Sequence, residues 1–224
     1  MTKQRLINFK SNAKLTPFAP EWNFIIYENI IDKINFKKIA SFILNKEKEI
    51  LKNTTHSKKI GSVDGYTGLG ENSLTSRYES FNVLKWNNDE IKKLKKIILK
   101  EHDDFLSLLN IEKPKSLWIQ CWANVMRKRE KINTHIHSIK PDSYLGGHVC
   151  IQCINTFTGY INPLTHANNP EIFKSDNEVG KITLFQNCLP HYTSTHEDNK
   201  KERITIAFDL MIINPNDKNV LQLY

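Results

Sequence analysis

Apolar positions in this chain recur with two different periods, and the change from one to the other falls near Lys113-Pro114. From Asp32 onward Ile34, Ile39, Phe42, Ile43 and Ile50 return at helical spacing, which predicts a helix over about residues 32 to 52 with Asp32 as its N-cap. A second helix is predicted after Asn88 or Asp89, where Ile91, Leu94, Ile98, Phe105 and Leu109 share one face and lysines take the other. Beyond Pro114 the pattern becomes β-rich, with strands expected at Ser116–Val125, Leu145–Thr156, Lys181–Asn187 and Arg203–Ile213, and shorter pieces at Tyr160–Asn162 and Tyr192–Thr195. Upstream of the first helix, Trp22–Tyr27 reads as a strand, while the first 20 residues, basic and closed by Pro17 and Pro20, read as an extended arm. Helices followed by a run of strands predict an α+β, mainly β chain: a β-barrel or jelly roll with the helices packed outside. No internal repeat is visible.

Between the helices the character shifts. Residues 53–80 hold Gly61, Gly65, Gly68 and Gly70, half of the eight glycines, among Asp64, Tyr66, Thr67, Arg77 and Tyr78. A loop of this length is either an ordinary connection or a lid over a site, in which case Tyr66, Arg77 and Tyr78 are the expected contacts.

Composition narrows the class without naming a function. The 224 residues are read as a single domain, divided into an N-terminal arm, helices and loop (1–115), a β core (116–213) and a tail (214–224). With 39% hydrophobic and 25% charged residues the chain is not of the disordered type. It has no signal-like N-terminus and no apolar run long enough for a membrane span, so a soluble cytoplasmic protein is expected. The four cysteines sit in apolar, strand-like stretches and read as buried thiols. Cys150 and Cys153 have redox spacing, but no helix follows them, and strand alternation is expected to send them to opposite faces. The net charge of +8 admits an acidic partner such as nucleic acid. Much of that excess lies at Lys37-Lys38, Lys92-Lys93 and Lys95-Lys96, where a solvated helix face is the simpler explanation.

The chemistry is concentrated in the β half. His135 and His137, two apart in an extended segment, project to the same side, which is a metal-ligand geometry. His191, at the start of a strand, is the leading third ligand, and imidazole nitrogens suit iron, zinc, copper or nickel. Along Arg203–Phe208, alternation puts Arg203 and Thr205 on one face, a fork of N–H donors with a hydroxyl beside it, as a buried carboxylate requires. A metal with open positions beside such an arginine describes a site for a small keto acid.

In this arrangement the chain resembles the 2-oxoglutarate- and Fe(II)-dependent oxygenases, and among them the small oxygenases of tailed phages and bacteria. The resemblance rests on Trp122-Ala123-Asn124, His135-Ile136-His137, Leu145-Gly146-Gly147, Leu189-Pro190-His191 and Glu202-Arg203-Ile204-Thr205-Ile206-Ala207-Phe208, in that order over about residues 118 to 213. It implies a double-stranded β-helix core of the cupin type. It also implies Fe(II) held by His135, His137 and His191, with O2 as oxidant and 2-oxoglutarate as co-substrate bound by Arg203, Thr205 and Asn124. The implied activity is hydroxylation of a second substrate, with a prolyl or other amino-acid side chain of a protein first in line and a nucleic-acid base second.

One departure stands out. The family's second ligand is a carboxylate where this chain has His137, and Asp142 is the nearby substitute if His137 turns away. The same departure leaves open a non-catalytic cupin-like module and a three-histidine zinc site. His148 reads as pocket or core, and His56, His166 and His196 read as surface.

Overall fold

The computed structural model describes residues 4–56 and 64–224. In chain order its elements are β1 (Arg5–Lys10), β2 (Asn23–Ile30), α1 (Phe36–Asn53), α2 (Asp89–Leu108), β3 (Trp118–Met126), β4 (Leu145–Gln152), β5 (Phe157–Ile161), β6 (Ile172–Asp176), β7 (Lys181–Gln186), β8 (His191–Thr193), β9 (Arg203–Met211) and β10 (Leu221–Gln222), with short 3-10 turns at Thr75–Ser80 and Val83–Lys85. The strands form an antiparallel seven-stranded sheet, ordered β1-β2-β7-β4-β9-β3-β10, and an antiparallel three-stranded sheet, ordered β6-β5-β8.

Strict alternation in the central strands divides the large sheet into two working faces. Ile119, Cys121, Ala123 and Val125 of β3, Val149 and Ile151 of β4, Ile182 and Leu184 of β7, and Ile204, Ile206, Phe208 and Leu210 of β9 are buried in one apolar cluster with Ile39 and Ile43 of α1 and Ile91, Leu94 and Ile98 of α2. The helices therefore cover that face. The intervening residues, including Trp122, Asn124, His148, Phe185, Arg203, Thr205 and Asp209, line a cavity whose far wall carries Thr158, His191 and Thr193 of the small sheet. A one-residue slip in any of these strands would exchange the two sets, so the apolar side fixes the register of the polar one. A smaller cluster of Phe9, Ile26, Tyr160, Phe185 and Leu189 closes the other end between the sheets.

The structure revises several local expectations. Helix α1 is capped by Asn35, whose side chain accepts from Lys38 N at 3.1 Å, and not by Asp32. Asn35 N also donates to Glu90 Oε2 at 2.8 Å, tying the cap to the start of α2. Helix α2 is capped as expected by Asn88, which accepts from Glu90 N and Ile91 N. The basic arm is not free: residues 5–10 pair with β2, and Arg5 Nη2 lies 2.6 Å from Glu28 Oε2. His196, expected at the surface, is fully buried, with Nε2 2.7 Å from the Lys201 carbonyl.

Cys150 and Cys153 do not face apart. The pairing of β4 with β9 slips between Cys150 and Gln152, and this irregularity turns the chain so that both sulfurs meet Asn177, at 3.5 Å to Oδ1 and 3.3 Å to O respectively. Neither cysteine is in a disulfide. Of the lysines named above, Lys37, Lys38, Lys92, Lys93 and Lys96 are exposed on their helices, as a solvated face requires. Among the described residues no helix is long and apolar enough to cross a membrane.

Candidate metal centre and keto-acid pocket

The segment holding His135 and His137 is not a strand of either sheet, yet it is held like one. His135 and His191 exchange both backbone hydrogen bonds, at 3.1 and 3.0 Å, and Thr193 N donates to Ile132 O at 3.0 Å. Two residues further on, His137 N donates to Asn187 O at 2.9 Å. These bonds seat both histidines against β8 and the turn that precedes it. The ring centroids of His135 and His191 are 4.3 Å apart and those of His137 and His191 are 4.9 Å apart. One ring nitrogen of each histidine lies within 4.8 Å of those of the other two.

The hydrogen bonds of these rings fix their tautomers. His135 Nδ1 is 2.8 Å from the Asn133 carbonyl and His191 Nδ1 is 3.0 Å from the Leu189 carbonyl. A carbonyl only accepts, so Nδ1 carries the proton in each case. His137 Nδ1 meets the Asp209 carboxylate at 2.5 Å, again an acceptor. In each ring Nε2 is therefore the nitrogen not engaged by these bonds and the one available to a metal. Burial pushes the His135 pKa down to about 4, and the closeness of His137 lowers it further, since two imidazolium charges in this cluster would repel. Burial likewise holds His191 well below the ordinary imidazole value, with His135 and His137 adding to it. The donor set therefore fits a divalent transition metal.

Asp142 does not take part. It sits on an exposed turn and does not line the cavity. The carboxylate hydrogen-bonded to the cluster is Asp209, two positions beyond Ala207 on the same face of β9 as Arg203 and Thr205, while Asp64, which also lines the cavity, accepts from Gly70 N at 2.8 Å. Room for the contact is made at Gly146, the cross-strand neighbour of Asp209. A Cβ there would stand 2.9 Å from His137 Nδ1 and 2.7 Å from Asn187 Oδ1.

At the other end of the same cavity lies Arg203, 1% exposed. Its Nη1 contacts the Met126 sulfur at 3.1 Å, while Nε has no partner. Among the described residues no carboxylate pairs with it, and burial holds its pKa below the ordinary guanidinium value. A thioether is a weak acceptor, so a buried guanidinium is left nearly uncompensated. Cross-strand pairing places Thr205 between Asn124 of β3 and Cys150 of β4. Thr75 Oγ1 donates to Asn124 Oδ1 at 2.7 Å, which leaves the Nδ2 amide of Asn124 as its remaining donor. His148 also lines the pocket, and burial together with the Arg203 charge pushes its pKa down to about 3.

All six residues singled out from the sequence, His135, His137, His191, Asn124, Arg203 and Thr205, line one cavity of about 140 Å³. Sequence reasoning missed Asp209, although continuing the alternation of Arg203 and Thr205 by four residues reaches it. It also missed Phe185, whose ring centroid is 4.6 Å from that of His191, and Thr158 and Thr193 on the far wall. The stretch between α1 and α2 supplies Asp64, Gly65, Thr67, Thr75 and Tyr78 to the wall. Gly61 and the rest of residues 57–63 lie outside the described residues. Of the expected lid contacts, Tyr78 lines the cavity, Tyr66 is 65% exposed away from it, and Arg77 is buried with Nη1 on Ser76 Oγ.

No family model matches the chain, and no curated protein matches it. Among solved structures it is similar to a non-haem alpha-ketoglutarate-dependent carbocyclase, SnoK, from nogalamycin biosynthesis (TM-score 0.51, 9% identity, 83% of this chain and 79% of that one). It is similar also to the alpha-ketoglutarate-dependent epimerase SnoN from the same biosynthesis (TM-score 0.50, 10% identity, 83% and 77%). An oxidoreductase of the 2OG-Fe(II) oxygenase family from Burkholderia pseudomallei aligns with TM-score 0.41 and 17% identity over 53% of this chain, which spans 55% of that one. The chain thus shares the mainly β, antiparallel fold of SnoK and SnoN, and the three-histidine cluster stands between the sheets of that fold.

Proposed function

We propose that this protein is an Fe(II)- and 2-oxoglutarate-dependent dioxygenase whose two sheets form a double-stranded β-helix. The observation that carries the reading is the pairing, in one cavity, of three imidazoles with free Nε2 atoms and a buried guanidinium that has no carboxylate partner. Such a cavity fits a metal and an anion, and a keto acid carrying two carboxylates satisfies both ends of it. Iron and 2-oxoglutarate, once bound, supply oxidative decarboxylation by O2 to succinate and CO2, coupled to oxidation of a second substrate.

The chain's own residues have separate tasks. His135, His137 and His191 hold the metal as neutral ligands. Arg203 and Thr205 bind the distal carboxylate of 2-oxoglutarate, the arginine through parallel N–H donors and the threonine through its hydroxyl. Asn124 donates its Nδ2 to the co-substrate. Trp122, Phe185 and Ile132 give the cavity apolar walls that exclude water and strengthen those charge-assisted bonds.

For the second substrate we propose an amino-acid side chain of a protein or peptide, prolyl first, entering beside Tyr78 and Ile136, with hydroxylation as the outcome. The test of the activity is succinate release: it is expected only when Fe(II), 2-oxoglutarate and O2 are all present. A protein that binds zinc tightly and releases no succinate under any of these conditions is not a dioxygenase. Binding to oligonucleotides that falls steeply with salt would move the substrate from protein to nucleic acid.

A further inference from the structure

The cluster has one feature that three neutral ligands do not explain. His137 stands where a carboxylate ligand would supply a negative charge to the metal, and an acid has been placed behind it. Asp209 Oδ1 accepts from His137 Nδ1 at 2.5 Å, and the Asp209 side chain is 28% exposed while that of His137 is 7% exposed. Three independent details serve this contact. Asp209 is in phase with Arg203 and Thr205, so the register that buries Ile206, Phe208 and Leu210 also aims Asp209 into the cavity. Its cross-strand neighbour Gly146 has no side chain to intrude on the His137 ring. The backbone of residue 137 is pinned by Asn187 O, so the ring approaches from a fixed origin. His135 and His191, by contrast, donate to neutral carbonyls.

Resting on the dioxygenase reading above, we infer that Asp209 is a positioning residue that returns the missing negative charge to the metal centre through His137. Donation from Nδ1 to a carboxylate raises the basicity of Nε2 and holds the ring in one orientation and one tautomer. The ligand set remains neutral, while Asp209 brings to His137 a negative charge of the kind that a His-x-Asp arrangement places directly on the metal. Asp209 touches neither metal nor substrate in this account; it acts through His137.

The experiment is anaerobic titration with Co(II), followed by its visible absorption, of the 224-residue protein and its Asp209→Asn, His137→Ala and His137→Ala/Asp209→Asn variants. The apo melting temperature of each variant is measured alongside to confirm folding. Removal of such a partner typically costs 10- to 100-fold in metal affinity, so Asp209→Asn is expected to bind Co(II) roughly 10- to 100-fold more weakly, with an altered visible spectrum. In the His137→Ala background the same substitution is expected to change affinity by less than about twofold, because the residue it acts through is gone. Equal Co(II) affinity and spectrum in wild type and Asp209→Asn would overturn the inference and leave the three-histidine centre standing. An equal loss in both backgrounds would overturn it too, since Asp209 would then act without His137. A wild-type protein that fails to bind Co(II) would overturn the metal centre itself.

Discussion

Arg203 offers the sharpest quantitative consequence, because its removal should have opposite effects on the empty and the loaded protein. In the empty cavity the guanidinium is buried against a methionine sulfur with Nε unpaired, so it is a cost to folding. Arg203→Met keeps much of the volume and removes the charge. The apo melting temperature is therefore expected to stay level or rise, since replacing buried charged groups by apolar ones of similar volume is often neutral or stabilising by about 1–4 kcal/mol. Binding of 2-oxoglutarate should suffer instead. Two charge-assisted hydrogen bonds at about 1.5–3 kcal/mol each are lost, or roughly 3–6 kcal/mol together, which is about two to four orders of magnitude in Kd. The assay is thermal unfolding with Co(II) present and 2-oxoglutarate varied. At 100 times its Kd the ligand stabilises the wild type by about 2.7 kcal/mol, which for a chain of this size moves Tm by roughly 5–11 °C. The variant at the same concentration should move by less than about 2 °C, since at the smaller loss of affinity it is only about half loaded. A variant that melts far below wild type without ligand would make Arg203 a structural cation, and a variant that keeps the ligand-induced shift would place the carboxylate elsewhere.

Other outcomes follow from the same geometry. Gly146→Ala brings a methyl group to 2.9 Å from His137 Nδ1; metal affinity should fall by about tenfold or more through the disturbed His137, with about 1–3 kcal/mol lost from stability to overpacking. Asn124→Ala removes one co-substrate hydrogen bond worth about 1 kcal/mol, so KM for 2-oxoglutarate should rise roughly five- to tenfold in a succinate assay while metal affinity is unchanged. His148, held neutral with a pKa of about 3, gives a pH signature. Below the unfolded histidine pKa of about 6.5 the unfolded chain takes up a proton that the folded one refuses. Apo stability should therefore fall as pH drops from about 6.5 toward 3, by up to about 1.4 kcal/mol per pH unit from this residue. His135 adds a similar slope down to about 4. Urea unfolding of the chelator-treated protein between pH 7 and 5 should show a shallower decline in His148→Gln, and an unchanged slope would mean that His148 is not held neutral.

The fold was legible where a strong period ran through a long segment. Helix α2 was set by its five apolar positions and the Asn88 cap, and β3 and β9 by alternation that separates apolar from polar residues throughout. It was poorly legible where pairing partners decide the outcome. β1 carries too little apolar signal in six residues to stand out, and it forms because β2 offers it an edge. The site was legible in residue type because histidines and an arginine in phase with a threonine leave few chemical readings. What stayed hidden was relative placement. Asp142 is five positions from His137 and points to solvent, whereas Asp209 is 72 positions away and bonded to it. Likewise the Cys150 and Cys153 sulfurs converge because β4 loses its regular register with β9, an irregularity that alternation counting cannot supply.

The central claim is that one cavity holds a metal on three histidines and a keto acid between that metal and Arg203. The most direct measurement is the visible spectrum of the protein loaded anaerobically with Fe(II) and titrated with 2-oxoglutarate. A weak charge-transfer band that grows to saturation as 2-oxoglutarate is added is expected. It should be absent in His191→Ala at any keto-acid concentration, and should require far more 2-oxoglutarate in Arg203→Met. A wild-type protein that binds Fe(II) yet develops no band, or that binds 2-oxoglutarate equally well with and without metal, would contradict it.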